Sequence, residues 1–491
     1  MSGRVFEQEK TPTPCTWHLG TASPDPHPHR PVPISKHIYE DVLDLIGNTP
    51  MVRINNITKK DGIKCEVLAK CEFLNPGGSV KDRIGFRMLQ DAEDTGRITK
   101  GRTTIIEATS GNTGIGLALA CAVRGYRCLI TLPEKMSAEK ANTLTALGAE
   151  VIRTPTEASF DSPESHLGVA TRMLQEIPDS VILDQYSNPS NSLAHYDGTA
   201  EEIIAQCEGR LDYLVVSAGT GGTLAGIARK FKEKLPQVQI VGVDPFGSIL
   251  AQPDSLNTPV GTYKVEGIGY DFIPRVCHRE AVDSWVKTND QESLVMARRL
   301  IREEGLLAGG SAGATMWAAL QIARDLPADK RVVVLLADGV RNYLTKFIND
   351  AWMYDSGFLP ANVTGLAGEG RTLADMGLRQ VDGISPETTC AQALERMNAA
   401  GYHQLPVLSG STLLGAVTVS LISQKLVQRK IVPSDPVQKF LLKAVKVVPA
   451  TLQVPELQAL FTLHEFVLVQ TGETYQIATP TDLANYLVAN P

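Results

Sequence analysis

The chain has 491 residues, eight cysteines and a formal net charge of −7 at pH 7. The length predicts about three domains. The negative net charge argues against a nucleic-acid-binding protein. The absence of any C-x-x-C pair predicts mostly buried thiols in a reduced, cytoplasmic protein. The opening residues MSGRVFEQEK lack the apolar core of a signal peptide, and no uncharged apolar run reaches the roughly 18 residues of a membrane span.

Strand and helix patterns alternate between about residues 40 and 350, after an N-terminal segment, residues 1–35, whose Pro, Thr and His content alone predicts a disordered tail. An early helix is predicted from Ile84 to a stop at Gly96. Strands are predicted at residues 65–73 (CEVLAKCEF) and at TTIIEA, CLITLP, AEVIRT, SVILDQ, YLVVSAG, VQIVGVD and RVVVLLAD. Strands that alternate with helices predict βαβ units and a mostly parallel sheet, and continuous apolar strands indicate burial on both faces.

The C-terminal part contains a weak repeat after a loop-rich linker at 355–375. HQLPVL at 403–408 corresponds to HEFVLV at 464–469, and AVT ending at Thr418 corresponds to IAT ending at Thr479, both with an offset of 61 residues. Each half is predicted to run helix, strand, strand, helix. Two small α/β modules that bury a face against one another are the simplest account.

Four glycine-rich turns, each after a predicted strand or a short apolar run, are the candidate binding elements. They are GGSVKDR (77–83), EATSGNTGIG (107–116), SAGTGGTLAG (217–226) and GGSAG (309–313). Ligands of open α/β sheets bind at the carboxyl ends of the strands, so these turns are expected to converge. Bare backbone N–H groups at a helix start suit a phosphate, and the polar side chains of TSGNTG suit a carboxylate. Each turn alone could equally be a structural turn or a helix cap.

Lys81 decides between these interpretations. A cation is badly placed at a helix N-terminus, where the helix dipole favours negative charge, so a lone Lys81 would be a solvated surface residue. Beside three anion-binding turns, it is instead predicted to form a Schiff base with an aldehyde. Its neighbours Asp82 and Arg83 are expected to be cap and surface residues.

The four motifs, in this order, resemble the fold-type II pyridoxal-phosphate enzymes of the cysteine-synthase family over about residues 40–355. The segments DSPESH, DQYSNPSNSLAHYDGTA and VEGIGYDFIP are similar to those of the cystathionine β-synthases in particular. The resemblance implies a tryptophan-synthase-β-like α/β core with parallel sheets, plus a C-terminal tandem CBS-domain (Bateman) module. The implied divisions are a haem-binding arm (1–38), a pyridoxal-phosphate catalytic domain (39–355), a linker (356–375) and a regulatory CBS pair (376–491).

The resemblance also implies roles for individual residues. Lys81 resembles the catalytic lysine, which binds pyridoxal 5′-phosphate covalently and removes the substrate α-proton. The other implied cofactor contacts are Asn112 at the 3′-oxygen, Gly219, Thr220, Gly221, Gly222 and Thr223 at the phosphate, and Ser311 at the pyridine nitrogen. Substrate binding is implied for Thr109, Ser110, Thr113, Gly269 and Tyr270.

The implied activity is a β-replacement that condenses L-serine with L-homocysteine to L-cystathionine and water, in transsulfuration and cysteine biosynthesis, with H2S production as a further expectation. A neutral serine beside the pyridine nitrogen leaves that nitrogen largely unprotonated, which suits β-elimination better than transamination. One rival is cysteine synthase, which uses O-acetylserine and sulfide; the haem arm and VEGIGYDF argue against it. The other is a catalytically inactive nucleotide sensor, which the intact Lys81, Asn112 and Ser311 argue against.

The segment CTWHLGTASPDPHPHRP resembles the arm in which a Cys thiolate and a His hold haem b in the animal enzymes. Cys15 matches the thiolate ligand and His27 the histidine ligand, with His29 as the alternative. Cys and His are reasonable iron ligands. Arg229 matches the arginine that pairs with the thiolate. With both axial positions filled, the iron is expected to be structural or regulatory.

In the CBS pair, Thr479 and Asp482 have the T-x-x-D spacing that contacts a nucleotide ribose. In the first repeat Leu421 stands where the acid would be, and Gln476 replaces a usual Gly in the second. The ligand implied by the resemblance is S-adenosylmethionine, and these departures favour a dimerising or inhibitory module without a ligand. The other implied partners are small amino-acid substrates and further copies of the chain, as a homodimer or higher oligomer, with no nucleic acid and no membrane.

Overall fold

The computed structural model describes residues 37–109, 111–134, 136–155, 162–257, 259–361 and 363–490. The elements below lie within one compact unit, Asp41–Pro491. The strands are β1 Met51–Arg53, β2 Glu66–Cys71, β3 Thr104–Ala108, β4 Arg127–Pro133, β5 Glu150–Thr154, β6 Ser180–Ile182, β7 Tyr213–Ser217, β8 Gln239–Pro245, β9 Ser284–Thr288, β10 Arg331–Leu336, β11 Gln404–Ser409, β12 Thr412–Thr418, β13 Val447–Pro449, β14 Val467–Thr471 and β15 Thr474–Ala478.

The α-helices that separate most of these strands are α1 Asn56–Lys60, α2 Lys81–Asp94, α3 Asn112–Arg124, α4 Ala138–Ala146, α5 His166–Glu176, α6 Pro189–Ala194, α7 Ala200–Gln206, α8 Gly222–Lys234, α9 Asp290–Glu304, α10 Gly310–Ala323, α11 Asp350–Asp355, α12 Cys390–Ala400, α13 Val419–Val427, α14 Glu456–Phe461 and α15 Pro480–Ala489. A π-helical turn, His195–Thr199, joins α6 to α7. Among the described residues, no helix has the length and apolar character needed to cross a membrane.

Two sheets form the part of the chain that carries the four turns. One has six strands in the order β1-β2-β10-β7-β8-β9, and the other has four in the order β5-β4-β3-β6. All neighbouring strands run parallel except β1 and β2. The predicted α/β fold with parallel sheets is therefore confirmed.

Both faces of the six-stranded sheet are buried, as the continuous apolar runs predict. Val67 and Val334 pack into the core on one face. Leu68 and Val333, their neighbours along the same strands, pack into the core on the other. Seven of the eight cysteines lie in the described residues, and all seven are buried free thiols.

All eight predicted strands are present, but sequence patterns missed β1, β9 and β13, and four of the predicted strands continue past the observed end. The prediction for 65–73 continues past β2, where residues Glu72–Leu74 form a 3-10 turn. The prediction SVILDQ continues past β6, because the chain turns at Asp184, whose φ is +62°. The run before GGSAG is not a strand: it forms a single bridge, Ala308 to Gly339.

The C-terminal repeat folds as two similar halves. Each half runs helix, strand, strand, helix, first α12, β11, β12 and α13, then α14, β14, β15 and α15, as predicted. Side chains from both halves share one core, in which Val407 and Val417 join Phe466, Leu468 and Ile477. The two halves therefore bury part of their apolar surface against each other.

Candidate active site

Lys81 is the first residue of α2 and lines a cavity at the carboxyl edge of the six-stranded sheet. The lining residues are Val80, Lys81, Asn112, Thr113, Gln185, Thr220, Gly267, Tyr270, Ser311 and Ala337. Each of the four glycine-rich turns contributes at least one lining residue, as expected. Within the described part of the chain, Lys81 Nζ has no hydrogen-bond or ion-pair partner. Burial lowers the pKa of its ammonium group to about 8, although the charges of Asp338 and Glu72 oppose the shift.

The prediction that Arg83 is a surface residue is wrong. Its guanidinium is buried, with Nε 2.7 Å from Glu72 and Nη1 2.6 Å from Glu202. Arg83 thereby links α2 to the turn after β2 and to α7. A buried carboxylate such as Glu72 is unfavourable unless a positive charge pairs with it. Asp82 is also buried, and one of its oxygens accepts the Gly77 N–H at 2.6 Å.

Asn112 begins α3, and two neighbours orient its side-chain amide. Asn342 Nδ2 donates to Asn112 Oδ1 at 3.1 Å, and Asn112 Nδ2 donates to Asp338 Oδ2 at 2.8 Å. Asp338 is fully buried, accepts the Tyr343 hydroxyl proton, and lies 3.5 Å from the hydroxyl of Ser311. Asp338 therefore fixes the amide nitrogen of Asn112, and Asn342 fixes its amide oxygen.

The turn Gly219–Thr223 brings bare backbone to the start of α8. Gly221 has a left-handed backbone, φ +81°, and a Cβ on Gly219 would lie 2.6 Å from Gly267 O. Only glycine fits either position. The hydroxyl of Thr220 accepts the Asn191 Nδ2 hydrogen bond at 3.0 Å. The N–H of Gly222, the first residue of the 13-residue helix α8, contacts the Thr220 hydroxyl at 3.4 Å, and the N–H groups of the helix start are the type of site that binds an anion.

The loop that enters α3 is held by two buried residues that sequence patterns missed. Thr113 donates to Gln185 Oε1 at 2.7 Å, and Gln185 Nε2 donates to Ala108 O at 3.0 Å. Glu107 accepts the backbone N–H groups of Asp184 and Gln185, each at 2.9 Å. Burial raises the pKa of Glu107 to about 8. Sequence patterns could not predict these contacts, because they join the end of β3 to the chain after β6, more than 70 residues away.

Thr109 lies beneath this loop, fully buried, and accepts the Gly111 N–H at 3.1 Å. Ser110 lies outside the described residues. The structure describes two hydroxyl-bearing residues of this loop, Thr109 and Thr113. Of these two, Thr113 lines the cavity and can contact a ligand there.

Tyr270 belongs to the cavity lining, and Gly269 precedes it in the chain. Gly269 has φ +78°, and a Cβ there would lie 2.6 Å from Pro245 and from the Tyr263 hydroxyl. The Tyr270 ring lines the cavity, and its hydroxyl is 3.2 Å from that of Tyr186. The close approach of Tyr263 explains why a glycine precedes Tyr270.

The residues predicted to bind haem are not among the described residues that line this cavity. Cys15, His27 and His29 fall outside the described residues. Arg229 is exposed, pairs with Glu233 at 3.3 Å and lies over the Tyr196 ring. In the described ranges, no group of three or more His, Cys, Asp or Glu could hold a metal ion.

Thr479 and Asp482 contact each other at the start of α15. Asp482 Oδ2 accepts the Thr479 hydroxyl at 2.6 Å and the Thr479 N–H at 2.9 Å. Together they form a capping box. A nucleotide ribose would have to compete with these contacts.

Comparison with known proteins identifies the family. A family profile described as "Pyridoxal-phosphate dependent enzyme" matches residues 42–338. Cystathionine beta-synthase of Dictyostelium discoideum is 53% identical over 97% of this chain and 98% of its own length. The chain belongs to the cystathionine β-synthase family. The mouse enzyme of the same name is 53% identical over 98% of this chain and 88% of its own.

Solved structures agree with this assignment. The O-acetylserine dependent cystathionine beta-synthase from Helicobacter pylori matches with a TM-score of 0.58 and 38% identity, over 63% of this chain and 98% of that one. A hydrogen sulfide-producing enzyme from Fusobacterium nucleatum matches with a TM-score of 0.59 and 38% identity, over 62% of this chain and 100% of that one.

The cavity fits the cofactor of the cystathionine β-synthase family. Pyridoxal phosphate needs an amine for its aldehyde and donors for its phosphate. The Lys81 amine has no partner among the described residues. The glycine turn before α8 excludes side chains at the point where the phosphate would approach the backbone.

Proposed function

We propose that this protein condenses L-serine with L-homocysteine to L-cystathionine and water by pyridoxal-phosphate-dependent β-replacement. The observation that carries the proposal is similarity to cystathionine β-synthases over nearly the whole chain. The unpaired Lys81 amine in the cavity supports it. The reaction serves transsulfuration and cysteine biosynthesis, and H2S is a further product to expect from the same site.

Lys81 would act as both covalent anchor and base. Pyridoxal phosphate, when bound, withdraws electrons from the amino acid and makes its α-proton acidic. Lys81 Nζ, once displaced by the substrate amine, would remove the α-proton from serine and pass it to the hydroxide that leaves Cβ, which departs as water. Lys81 would then take the thiol proton of homocysteine as its sulfur adds to Cβ, and would return that proton to Cα. A pKa of about 8 keeps a useful fraction of the amine neutral near pH 7.

The other cavity residues would hold the cofactor in position. Asn112 would donate to the 3′-oxygen through the second N–H of its amide, since Asn342 occupies the amide oxygen and Asp338 accepts the first N–H. Ser311 would face the pyridine nitrogen. The phosphate contacts proposed are Gly219, Thr220, Gly221, Gly222 and Thr223.

The substrate carboxylate would bind at the start of α3. Thr113 lines the cavity, and Thr109 and Ser110 are the other proposed contacts of the carboxylate. Gly269 and Tyr270 are also proposed to contact the amino-acid substrate, and Tyr270 lines the cavity.

Substrate preference tests this function. The purified protein should form cystathionine from serine and homocysteine faster than cysteine from O-acetylserine and sulfide. The opposite ranking would support the cysteine-synthase alternative. A third assay, O-acetylserine with homocysteine, is included because the Helicobacter pylori neighbour is described as O-acetylserine dependent.

Haem b is the second cofactor we propose, with Cys15 and His27 as axial ligands and His29 as the alternative histidine. Arg229 would pair with the Cys15 thiolate; its exposed guanidinium supports that role. The purified protein should show a Soret band that Cys15→Ala abolishes. Comparing His27→Ala with His29→Ala identifies the second ligand, and a wild-type protein without the band would refute haem binding.

The C-terminal region, residues 376–491, is proposed to be a regulatory CBS pair joined to the catalytic domain, 39–355, by the linker 356–375. Its repeated helix-strand-strand-helix order supports this. The capping box of Thr479 and Asp482 favours a module without S-adenosylmethionine. Calorimetry with S-adenosylmethionine distinguishes a module that binds this ligand, which releases or absorbs heat on titration, from a module without a ligand, which does not. We further propose a cytoplasmic homodimer, which sedimentation analysis would test.

A further inference from the structure

A buried histidine lies between the candidate phosphate-binding turn and the neighbouring helices. His195 begins the π-helical turn between α6 and α7, and its side chain is fully buried. Its Nε2 lies 3.1 Å from Thr223 Oγ1, and its Nδ1 lies 2.9 Å from Thr199 Oγ1. Such π-helical turns are frequent at functional sites. The imidazole therefore bridges two hydroxyls, one of which is in the turn assigned to the phosphate.

Two glycines of α8 permit this close approach. A Cβ on Gly226 would lie 2.1 Å from Ser192 O and 3.1 Å from His195 Cβ. A Cβ on Gly222 would lie 2.1 Å from Asn191 Oδ1. Without side chains at these positions, α8 packs directly on the backbone of α6. That packing brings His195 next to the first turn of α8.

The chemistry of a buried imidazole restricts its hydrogen bonds. Burial, with the positive charges of Arg83 and Lys81, lowers the pKa of His195 well below its usual value. The ring is therefore neutral, with one N–H donor and one acceptor nitrogen. It must donate to one threonine and accept from the other.

The phosphate selects between the two arrangements. If Thr223 donated its proton to Nε2, its oxygen lone pairs would face the phosphate and repel it. If Nε2 donates to Thr223, the threonine proton is free to point at the phosphate, and Thr199 donates to Nδ1. A charged acceptor strengthens such a hydrogen bond, so the second arrangement is favoured once phosphate is bound.

We propose that His195 is a positioning residue for the cofactor phosphate: its proton lies on Nε2 and is donated to Thr223, which directs the Thr223 hydroxyl proton at the phosphate. This rests on the phosphate role proposed above for the turn before α8. His195 acts through Thr223 and does not itself contact the substrate.

Matched substitutions test the proposal through cofactor release. A glutamine amide nitrogen reaches the position of Nε2, whereas an asparagine amide reaches only that of Nδ1. We measure how fast the holoenzyme releases pyridoxal phosphate when the free cofactor is trapped. His195→Asn should release cofactor about tenfold faster than wild type, the size expected for one hydrogen bond to a charged group. His195→Gln should remain within about threefold of wild type.

A double-substitution cycle distinguishes positioning from general damage. Thr223→Ala should release cofactor faster than wild type, and adding His195→Asn to it should cause little further change. If the two effects multiply, or if the asparagine and glutamine variants behave alike, the positioning role is wrong. If Thr223→Ala has the wild-type release rate, the phosphate role of the turn fails as well.

The tautomer itself can be measured on the unmodified holoenzyme. ¹⁵N NMR of histidine-labelled protein, with the His195 signals assigned by their loss in His195→Gln, should place the proton on Nε2. A proton on Nδ1 would overturn the proposal even if every variant failed to fold.

Discussion

At the scale of single residues, the reactivity of Lys81 comes from burial. The described part of the chain offers its Nζ no hydrogen-bond partner, and burial lowers its pKa to about 8. A surface lysine would keep a pKa near 10.4. The helix N-terminus, which is unfavourable for a cation, adds to the preference for a neutral amine.

This pKa predicts the pH dependence of cofactor uptake. Only the neutral amine attacks the aldehyde, so the rate at which apoprotein binds pyridoxal phosphate should rise about tenfold per pH unit below the pKa. It should level off above pH about 8, which stopped-flow absorbance can follow. A rate that still climbs at pH 10 would contradict the low pKa.

Lys81→Ala is the control for that experiment, because the variant lacks the attacking amine. It should develop no covalent cofactor absorption at any pH and should lose turnover. Full activity in this variant would remove Lys81 from the mechanism.

Arg83, two residues further on, shows how burial changes the cost of a substitution. Its pairs with Glu72 and Glu202 are buried, and its charge holds the pKa of Glu72 below the usual value although burial opposes this. Arg83→Met leaves the fully buried Glu72 without its ion-pair partner, whereas Glu202 keeps Lys70 at 2.6 Å. We expect a loss of about 3–5 kcal/mol in the free energy of unfolding by urea denaturation.

The control is Arg102→Met, which breaks an exposed pair with Asp179 and should change stability little. Adding Glu72→Gln to Arg83→Met should recover part of the loss, since it removes the uncompensated buried charge. Equal effects of Arg83→Met and Arg102→Met would show that the Arg83 pairs are not buried in solution.

At the scale of elements, the packing of α8 against α6 depends on missing side chains. Gly226→Ala places a Cβ 2.1 Å from Ser192 O, a backbone atom that cannot move without shifting α6. We expect a loss of about 1–3 kcal/mol in stability. Cofactor release should also accelerate, since the same contact positions the turn before α8.

Gly198, in the π-helical turn, provides a matched control. A Cβ there would meet its nearest atom, Arg83 Nη1, at 3.4 Å, an ordinary contact. Gly198→Ala should therefore stay within about 0.5 kcal/mol of wild type. The packing explanation fails if the two alanine variants are equally stable.

At the scale of the whole molecule, α11 connects the sheet-containing part that carries Lys81 to the C-terminal repeat. Asp355 pairs with Lys446 at 2.7 Å and lies 3.2 Å from His464 Nε2. Tyr354 donates to Glu456 Oε1 at 2.7 Å. These contacts hold α11 against the C-terminal repeat.

Asp355→Asn tests the strength of this connection. Burial opposes ionisation of Asp355, but His464 and Lys446 outweigh it and lower its pKa to about 2. Because the folded-state pKa is depressed, the stabilisation is present above the unfolded pKa and is lost as pH falls from about 4 towards 2. The stability gap between wild type and variant should shrink over that range in urea denaturation.

Asp350→Asn is the control on the same helix, since the Asp350 side chain is 83% exposed and its ion pair with Arg298 is a surface pair, which contributes little to stability. It should leave stability unchanged across the same pH range. A gap for Asp355→Asn that does not depend on pH would show that the carboxylate charge is not what connects the two regions.

The sequence by itself determined the alternation of strands and helices, the order of the four glycine-rich turns and the family. These properties are local, because hydrophobic period and glycine spacing are read within about ten residues. The C-terminal repeat follows from matching segments 61 residues apart, and its two halves have the predicted element order.

Only the tertiary structure decided which groups surround the reactive amine and in what ionisation state. Asp338 contacts Asn112 from 226 residues away, and Gln185 contacts Thr113 from 72 residues away. The burial of Arg83 and the bridge made by His195 depend likewise on how helices pack. Hydrogen-bond partners and desolvation belong to the folded surroundings of a residue, and residue type and spacing along the chain do not contain them.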